Sequence, residues 1–195
     1  VMIKVPATPP GLPAIRTLIS EGVNVNVRLL VAGDAYEKVA HAYIEGLAAR
    51  AAASHPIAHV ASVASFFVSR IDTAVDALLD AKLRDDATDK RLVEGLRGKV
   101  AIANAKLAYH SYKQIFSGPN WETLRNKGAH TQRVLWASTG TKNPRYRDVL
   151  YVEELIGPDT VNTLPVETLA AFRDHGRPRA SLEEDLTGAM ETLDD

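Results

Sequence analysis

The sequence predicts an α/β fold with a parallel β-sheet. Five apolar runs of strand length alternate with longer segments of helical spacing, which is the pattern of repeated βα units. Five units in 195 residues give about 39 residues each, and eight such units would make a (β/α)8 barrel of ordinary length. We therefore expect about five-eighths of a barrel, as a single domain over residues 1–195. The alternative, an open doubly wound sheet, predicts a glycine-rich loop after the first strand, where residues 1–12 contain only Gly11.

The composition excludes several classes of function. Lysine and arginine number 23 against 24 aspartate and glutamate, and this balance argues against nucleic acid or an anionic membrane as the main partner. The chain has no cysteine, which excludes disulfides, a thiolate metal site and a cysteine nucleophile. The six histidines form no convincing metal pair. The apolar runs are shorter than the roughly 20 residues of a membrane helix, so we expect a soluble protein. The absence of cysteine leaves the redox compartment open, although it suits the reducing cytoplasm, where we expect the protein.

The first two units are predicted from strand-length runs and one strongly periodic helix. Residues 1–5 are expected to form a strand, and a Pro-Pro-Gly turn leads to a helix over about 13–20. Residues 24–31 predict the second strand. The following helix starts at Gly33 and Asp34, with apolar residues at 3–4 spacing and Asp34 as its expected N-terminal cap.

The third unit is the longest. A strand is expected within residues 60–68, followed by a helix over about 72–82. Acidic and basic residues are mixed through 84–91, which predicts an exposed connection. A second helix is expected over 99–116.

The last two units are shorter. Asn120 is expected to cap a helix that ends at Gly128, before a strand over 132–138. Ser181 and Glu184 predict a capping box for a terminal amphipathic helix. The remaining predicted elements are a loop over 139–147, a helix over 148–156, a strand over 160–164, a helix over 166–174 and the terminal helix over 181–195.

Lys4 is the residue most suggestive of chemistry, because it interrupts an apolar strand. Burial disfavours the charged ammonium, and a neutral amine is the nucleophile that forms a Schiff base with a ketone or aldehyde. The alternative is a lysine that extends along the strand and reaches solvent. The strand pattern alone leaves both interpretations open.

The second strand places polar residues on one face. Asn24, Asn26 and Arg28 alternate with valines, so the polar set should point into the barrel and the valines toward the helices. Amides that face a barrel interior need hydrogen-bond partners, either a substrate or other protein groups. For Asn24, near the start of the strand, we expect a purely structural role.

Two further polar groups follow the third and fourth strands, where barrel enzymes bind their ligands. Ser65 and Arg70 lie at and beyond the end of the third strand. Ser138, Gly140 and Lys142 follow the fourth strand. The cations suit an anion, and a glycine lets backbone N–H groups approach a phosphate. Together with a strand lysine, they suggest a phosphorylated carbonyl substrate, although each alone could be a solvated loop residue.

Five segments resemble bacterial transaldolases, and the similarity extends over essentially the whole chain. It is strongest with the longer bacterial type, which sometimes occurs fused to a phosphoglucose isomerase domain. The segments are MIKVPAT (2–8), EGVNVN (21–26), VASVASFFVSRI (60–71), VLWASTGTKNP (134–144) and YVEELIGPDTVNTLP (151–165). The resemblance implies a partial (β/α)8 TIM barrel that enters at about its fourth strand and contains strands four to eight.

The resemblance also implies an activity and its residues. Transaldolases of the pentose phosphate pathway move a dihydroxyacetone unit from a ketose phosphate, fructose 6-phosphate or sedoheptulose 7-phosphate, to an aldose phosphate, without metal or organic cofactor. Lys4 matches the Schiff-base lysine, and Asn26 matches the amide that binds dihydroxyacetone. Ser65 and Arg70 match contacts to the substrate and its phosphate, and Lys142 falls where the family has a second basic phosphate contact. Ser138, at the end of the fourth strand, is a further expected substrate contact from its position.

Two departures lower the expected activity. Arg28 stands where the family usually has a threonine near the catalytic water, and its charge and bulk could crowd the interior. The acid/base carboxylates of the family belong to earlier strands, before Val1. Both chain ends also look like cuts, since Val1 lies inside an apolar run and the terminal helix has no C-cap. We therefore expect the isolated chain to fold poorly and to have little activity.

Two other functions remain open at this stage. A Schiff-base aldolase on the same barrel would release the three-carbon unit to water. A catalytically silent partial barrel could act as a binding or assembly module. The family's acid/base carboxylates, which are missing from these residues, and the presence of Arg28 would favour this alternative. Sugar phosphates remain the expected partners of an active protein.

Overall fold

The computed structural model describes residues 1–30, 33–85 and 89–194, but not the side chains of residues 29, 30, 33 and 34. Five strands and nine helices are found in the described residues. The strands are β1 (Ile3–Pro6), β2 (Val25–Leu30), β3 (Ser62–Phe67), β4 (Arg133–Ala137) and β5 (Thr160–Asn162). The helices are α1 (Gly11–Ser20), α2 (Gly33–Ala52), α3 (Val68–Lys82), α4 (Lys90–Leu96), α5 (Val100–Ile115), α6 (Pro119–Arg125), α7 (Leu150–Glu154), α8 (Val166–His175) and α9 (Leu186–Asp194).

The strands form one sheet in the sequential order β1-β2-β3-β4-β5. β1 pairs with β2 in parallel, and β2 pairs with β3 in parallel. The predicted α/β fold with a parallel sheet is confirmed. A doubly wound sheet reverses its strand order near the middle, so the sequential order fits the barrel-type interpretation instead.

The chain divides into two compact units. We call residues 1–66 and 108–135 the first unit, and residues 67–107 and 136–195 the second unit. In the first unit, Val25 and Val27 of β2 are fully buried, which confirms the predicted apolar face of that strand. Helices α1 and α2 approach closely at Gly46, where an added Cβ would lie 2.8 Å from the Arg16 carbonyl oxygen.

The core of the second unit is built around large buried side chains. Trp136, Tyr151, Leu155 and Leu182 are each no more than 2% exposed. Trp136 belongs to β4, and its carbonyl oxygen accepts a hydrogen bond of 3.0 Å from the Thr163 amide, just after β5. Burial of such side chains contributes roughly 1.5–3 kcal/mol each, so these four stabilise the unit substantially.

Three predictions about helix starts are wrong. The cap of α6 is Gly118, followed by Pro119 at the first helical position, so Asn120 lies inside the helix. Helix α4 begins at Lys90, inside the predicted connection, because the Asp89 side chain accepts hydrogen bonds from the amides of Arg91 and Leu92. Asp34, the predicted cap of α2, is not among the side chains that the structure describes.

The predicted capping box at Ser181 is the third error. Helix α9 begins at Leu186, and the buried Ser181 hydroxyl instead donates to the Glu153 carbonyl oxygen at 2.5 Å. The same hydroxyl accepts a bond of 3.2 Å from the Ile156 amide, at the end of α7. Helix α7 is also shorter than the predicted 148–156. Ser181 therefore holds the chain after α8 against α7 rather than starting a helix.

Among the described residues, no helix combines the length and the apolar character needed to cross a lipid bilayer.

Candidate functional site

The first group of predicted site residues lies on neighbouring strands of the first unit. Lys4 of β1 pairs in register with Asn26 of β2. Asn26 is in register with Val63 of β3, and side chains two residues apart on a strand share a face, which places Ser65 on the same side. Lys4, Asn26 and Ser65 therefore occupy one face of the sheet, as the strand periodicity predicts.

A hydrogen bond fixes the Asn26 amide. The Ser65 hydroxyl donates to Asn26 Oδ1 at 2.7 Å, and Ser65 is only 2% exposed. Because this bond uses the oxygen of the amide, its Nδ2 group retains N–H donors for a ligand on the same face. The strand sequence could reveal the shared face, but not the specific Asn26–Ser65 bond.

Lys4 is exposed, which favours the interpretation of a lysine that reaches solvent over that of a buried one. The neighbouring Val5, whose side chain alternates to the opposite face, is buried. Exposure leaves the amine accessible to a carbonyl compound.

Arg28 lies beside Lys4. It is half-buried and pairs in register with Pro6, two residues beyond Lys4. Lys4, Val5, Pro6 and Arg28 line a depression of about 240 Å³. Arg28 therefore lies next to Lys4 in this depression.

Asn24 has the structural role that its position predicts. Its Oδ1 accepts a hydrogen bond of 2.8 Å from the Ala61 amide, immediately before β3. This contact joins the starts of two strands and uses the amide within the protein. Asn24 thus differs from Asn26, although the two side chains alternate onto the same face of the strand.

The second group of predicted residues lies in the second unit. Arg70 is in the first turn of α3 and is exposed, with its guanidinium carbon 4.7 Å from the centre of the Phe67 ring. Ser138 follows β4 with a positive φ of 58°, a conformation that is uncommon for a residue with a side chain. Its carbonyl oxygen accepts from the Ser69 amide at 3.0 Å, and the two hydroxyl oxygens are 3.0 Å apart. Helix α3 thus holds the start of the loop after β4.

Gly140 of this loop packs closely on the start of α8. An added Cβ would lie 3.2 Å from Thr168 Oγ1 and 3.3 Å from Pro165 Cγ. This close approach gives the glycine a packing role in addition to the predicted one beside a phosphate.

Lys142 lies in acidic surroundings that the sequence interpretation missed. It is exposed and lines a depression of about 230 Å³ together with Asp72, Asp76, Asp80 and Tyr146. The three aspartates follow each other at four-residue intervals along α3, so they share one side of the helix. That spacing was visible in the sequence, but aspartates in this pattern ordinarily indicate an exposed helix face.

Two of these aspartates are buried and hydrogen-bonded. Asp72 is 1% exposed and accepts from the Tyr151 hydroxyl at 2.7 Å and the Ala101 amide at 2.8 Å. Burial raises the pKa of Asp72, while these hydrogen bonds act to lower it. Asp76 is 9% exposed, and its Oδ2 accepts from the Tyr146 hydroxyl at 2.7 Å and from Asn143 Nδ2 at 3.3 Å.

The two groups offer different chemistry. Lys4 and Asn26 supply an amine beside amide donors, which suits a carbonyl compound that carries hydroxyl groups. Arg70 and Lys142 supply cations that suit an anionic group such as a phosphate.

Comparison with known proteins identifies the family. The family model described as transaldolase/fructose-6-phosphate aldolase matches residues 1–195. A transaldolase of Trichodesmium erythraeum is 58% identical over 176 residues, covering 89% of this chain and 46% of that protein. Transaldolase 2 of a Nostoc species is 50% identical and covers 100% of this chain and 52% of its own length. A transaldolase of Thiobacillus denitrificans is 49% identical, covering 98% of this chain and 52% of that protein.

The chain spans about half the length of these curated relatives. The family match itself includes every residue of the chain, and the identities are far above the level at which family membership is in doubt. This chain therefore belongs to the transaldolase/fructose-6-phosphate aldolase family.

Proposed function

We propose that this chain supplies the Schiff-base part of a transaldolase. The reaction would transfer a dihydroxyacetone unit from fructose 6-phosphate or sedoheptulose 7-phosphate to an aldose phosphate. The observation that carries the proposal is the registered pair of Lys4 and Asn26, with the Asn26 amide fixed by Ser65 at 2.7 Å. An accessible amine next to an oriented amide is the arrangement that a hydroxyketone adduct requires.

In the proposed reaction, Lys4 Nζ attacks the ketone carbon of the donor and forms an imine with loss of water. The C4 hydroxyl then loses its proton to a base, the bond between the third and fourth carbons breaks, the protonated imine accepts its electron pair to give an enamine, and the aldose phosphate product leaves. The resulting enamine attacks the aldehyde carbon of the acceptor, and water finally releases the new ketose phosphate. Asn26 would donate hydrogen bonds to a hydroxyl group of the bound three-carbon unit.

We propose that Arg70 and Lys142 bind the phosphate of the substrate. Arg70 lies at the first turn of α3, and Lys142 lies in the loop that begins at Ser138. Both are exposed, so their charges are accessible to a ligand. Ser138 would contribute its hydroxyl group, and no metal or organic cofactor would take part.

We further infer that the five strands correspond to strands four to eight of a (β/α)8 barrel. Their sequential order supports this interpretation, since each barrel strand neighbours the one before it in sequence. The acid/base carboxylates would come from earlier strands, and the 195 residues alone would then have little activity, because proton transfer contributes about 10²- to 10⁴-fold. The complete protein would act in the cytoplasm, in the pentose phosphate pathway, and could be fused to a phosphoglucose isomerase domain.

A Schiff-base aldolase is the second candidate, because the description of the matching family names both activities. An aldolase would cleave fructose 6-phosphate without an acceptor, whereas a transaldolase would retain the three-carbon unit on Lys4 until an aldose phosphate arrives. The silent module is favoured by Arg28, which lies beside Lys4 in the same depression.

The experiment is borohydride trapping of the complete gene product with fructose 6-phosphate. We expect a stable three-carbon adduct on Lys4, released by erythrose 4-phosphate when the acceptor is added before the reductant. Lys4→Ala should abolish the adduct, and the matched variant Lys142→Ala should still form it at high substrate concentration. Turnover without an acceptor would support the aldolase, and absence of any adduct would support the silent module.

A further inference from the structure

Asp76 joins α3 to the loop that carries Lys142. Its Oδ2 accepts one bond from the Tyr146 hydroxyl at 2.7 Å and another from Asn143 Nδ2 at 3.3 Å. The Asn143 side chain also accepts a bond of 3.0 Å from the Arg145 amide, which shapes the loop directly after Lys142. One carboxylate thus binds the loop on the C-terminal side of the lysine.

The other end of this loop is also bound to α3. The Ser69 amide donates to the Ser138 carbonyl oxygen at 3.0 Å, next to the positive φ of Ser138. Arg70 follows Ser69 directly on the same helix. The loop of residues 138–147 is therefore attached to α3 at both ends, by contacts at Ser69 and Asp76.

The chemistry of Asp76 suits a stable attachment. Burial, followed by the Asp76 hydrogen bond, raises the pKa of Tyr146, so its hydroxyl group remains a donor. Asp76 is 9% exposed, and its Oδ1 is buried without a hydrogen-bond partner among the described residues. A buried carboxylate whose oxygens are incompletely paired costs free energy, which indicates that its position serves the loop rather than the stability of α3 alone.

We infer that Asp76 is a positioning residue, which holds Lys142 at a fixed place relative to Arg70 for binding of the substrate phosphate. The inference rests on the proposed function, because it assumes that these two cations bind a phosphate. Asp76 lines the same depression as Lys142 but would not contact the substrate. Its effect should therefore appear in affinity for the phosphate group and much less in the chemical step.

The test compares Asp76→Ala with Asp80→Ala in the complete gene product. Asp80 lies one turn further along α3 and lines the same depression, but its carboxylate binds Arg97 instead of the loop. We expect Asp76→Ala to weaken binding of inorganic phosphate by roughly 10-fold, since displacement of a binding group by about 1 Å can cost up to ~100-fold. Asp80→Ala should change this affinity by less than about 2-fold.

Two further variants separate positioning from loss of folding. Tyr146→Phe removes the shorter of the two bonds to Asp76 and should also weaken phosphate binding. Asp76→Asn keeps one acceptor oxygen for Tyr146 and should restore most of the affinity. KM for fructose 6-phosphate should rise with kcat nearly unchanged, while KM for unphosphorylated fructose stays constant.

Three results would overturn the inference. They are equal phosphate affinities of Asp76→Ala and Asp80→Ala, equal effects on phosphorylated and unphosphorylated fructose, and no phosphate binding by the unaltered protein. Failure of the proposed function would instead appear as the absence of a Lys4 adduct, and phosphate affinity would still test the role of Asp76.

Discussion

The two units of the chain use different kinds of buried polar contact. In the first unit, the bonds around the site join neutral groups, such as the Ser65 hydroxyl and the Asn26 amide. In the second unit, two tyrosine hydroxyls donate to buried carboxylates, Tyr151 to Asp72 and Tyr146 to Asp76. Hydrogen bonds to charged groups contribute about 1.5–3 kcal/mol and neutral ones about 0.5–1.5 kcal/mol. Removal of a neutral bond in the first unit should therefore affect mainly function. Removal of a bond to a carboxylate in the second unit should also lower stability.

Asn26 offers the largest expected effect. Asn26→Ala should lower kcat/KM of the complete gene product by about 10²- to 10³-fold, because a donor to the reacting ligand is removed while Ser65 remains. Asn24→Ala is the matched control, since Asn24 directly precedes the same strand and its side chain accepts a hydrogen bond from the Ala61 amide. The control should lower the melting temperature and leave turnover per folded molecule unchanged. An equal loss of turnover in both variants would show that Asn26 has no special role.

A pair of tyrosine variants tests the difference in charge directly. Tyr151→Phe removes a donor to the buried Asp72 carboxylate, and Tyr112→Phe removes a donor to the neutral Thr131 hydroxyl in the first unit. We expect the first to lower the free energy of unfolding by about 2–3 kcal/mol and the second by about 1 kcal/mol. Urea unfolding followed by circular dichroism measures both. Equal losses would contradict the distinction between the two units.

The Tyr151 effect should also depend on pH. Burial raises the pKa of Asp72, so the folded chain binds the proton more tightly than the unfolded chain. The stabilisation from that proton is complete below the unfolded pKa of about 3.8 and is lost as the pH rises through the folded value. The cost of Tyr151→Phe should therefore be smaller near pH 4 than near pH 7, because the bond to a protonated carboxyl group is weaker.

The sequence predicted which residues share a face of a strand better than it predicted their exposure. Period two along a strand is a local property, so the shared face of Asn24, Asn26 and Arg28 followed from the residues alone. The exposure of Lys4 depends on which segments cover β1, which a strand pattern does not contain, so the sequence left it open. The five strands and the parallel sheet were predicted correctly because apolar periodicity determines both.

The loop contacts could not be predicted, because their partners are far apart in sequence. Tyr151 bonds an aspartate 79 residues earlier, and Tyr146 bonds one 70 residues earlier. Ser181 resembled a helix cap from its spacing to Glu184, yet its hydroxyl group binds Glu153, 28 residues away. Local spacing identifies helices and faces, whereas such pairs are set by the packing of distant elements.

Arg28 provides a smaller test within the first unit. Arg28→Thr should raise kcat of the complete gene product by roughly 10-fold, because a small hydroxyl replaces charge and bulk beside Lys4 and the reacting groups can align. The rate of borohydride trapping checks whether the gain arises at the imine step. Arg16→Thr is a control for loss of an arginine, since Arg16 pairs with Glu45 on the helices and does not line the depression around Lys4. Unchanged turnover in Arg28→Thr would mean that the arginine is tolerated at this place.

The smallest expected effect concerns His175, at the end of α8. Hydrogen bonds to Asp148, and secondarily to Asp174, raise the pKa of His175. A raised histidine pKa stabilises the folded chain fully below the ordinary value of 6.5, and this contribution is lost as the pH rises through the folded pKa. His175→Gln should therefore lower the melting temperature at pH 6 more than at pH 8.

The exposure of this pair limits its effect, since solvent and salt screen exposed charges. The His175→Gln decrease should be smaller than that of either tyrosine variant, and 0.5 M salt should reduce it further. Asp148→Asn should remove more of the pH dependence than Asp174→Asn, because Asp148 is the larger cause of the raised pKa. Equal effects of the two asparagine variants would mean that His175 responds to the summed charge around α8 and not to the 2.9 Å contact with Asp148. Within the second unit, the pH dependence of stability would then be set by individual hydrogen bonds only at the tyrosines that donate to buried carboxylates, Tyr146 and Tyr151.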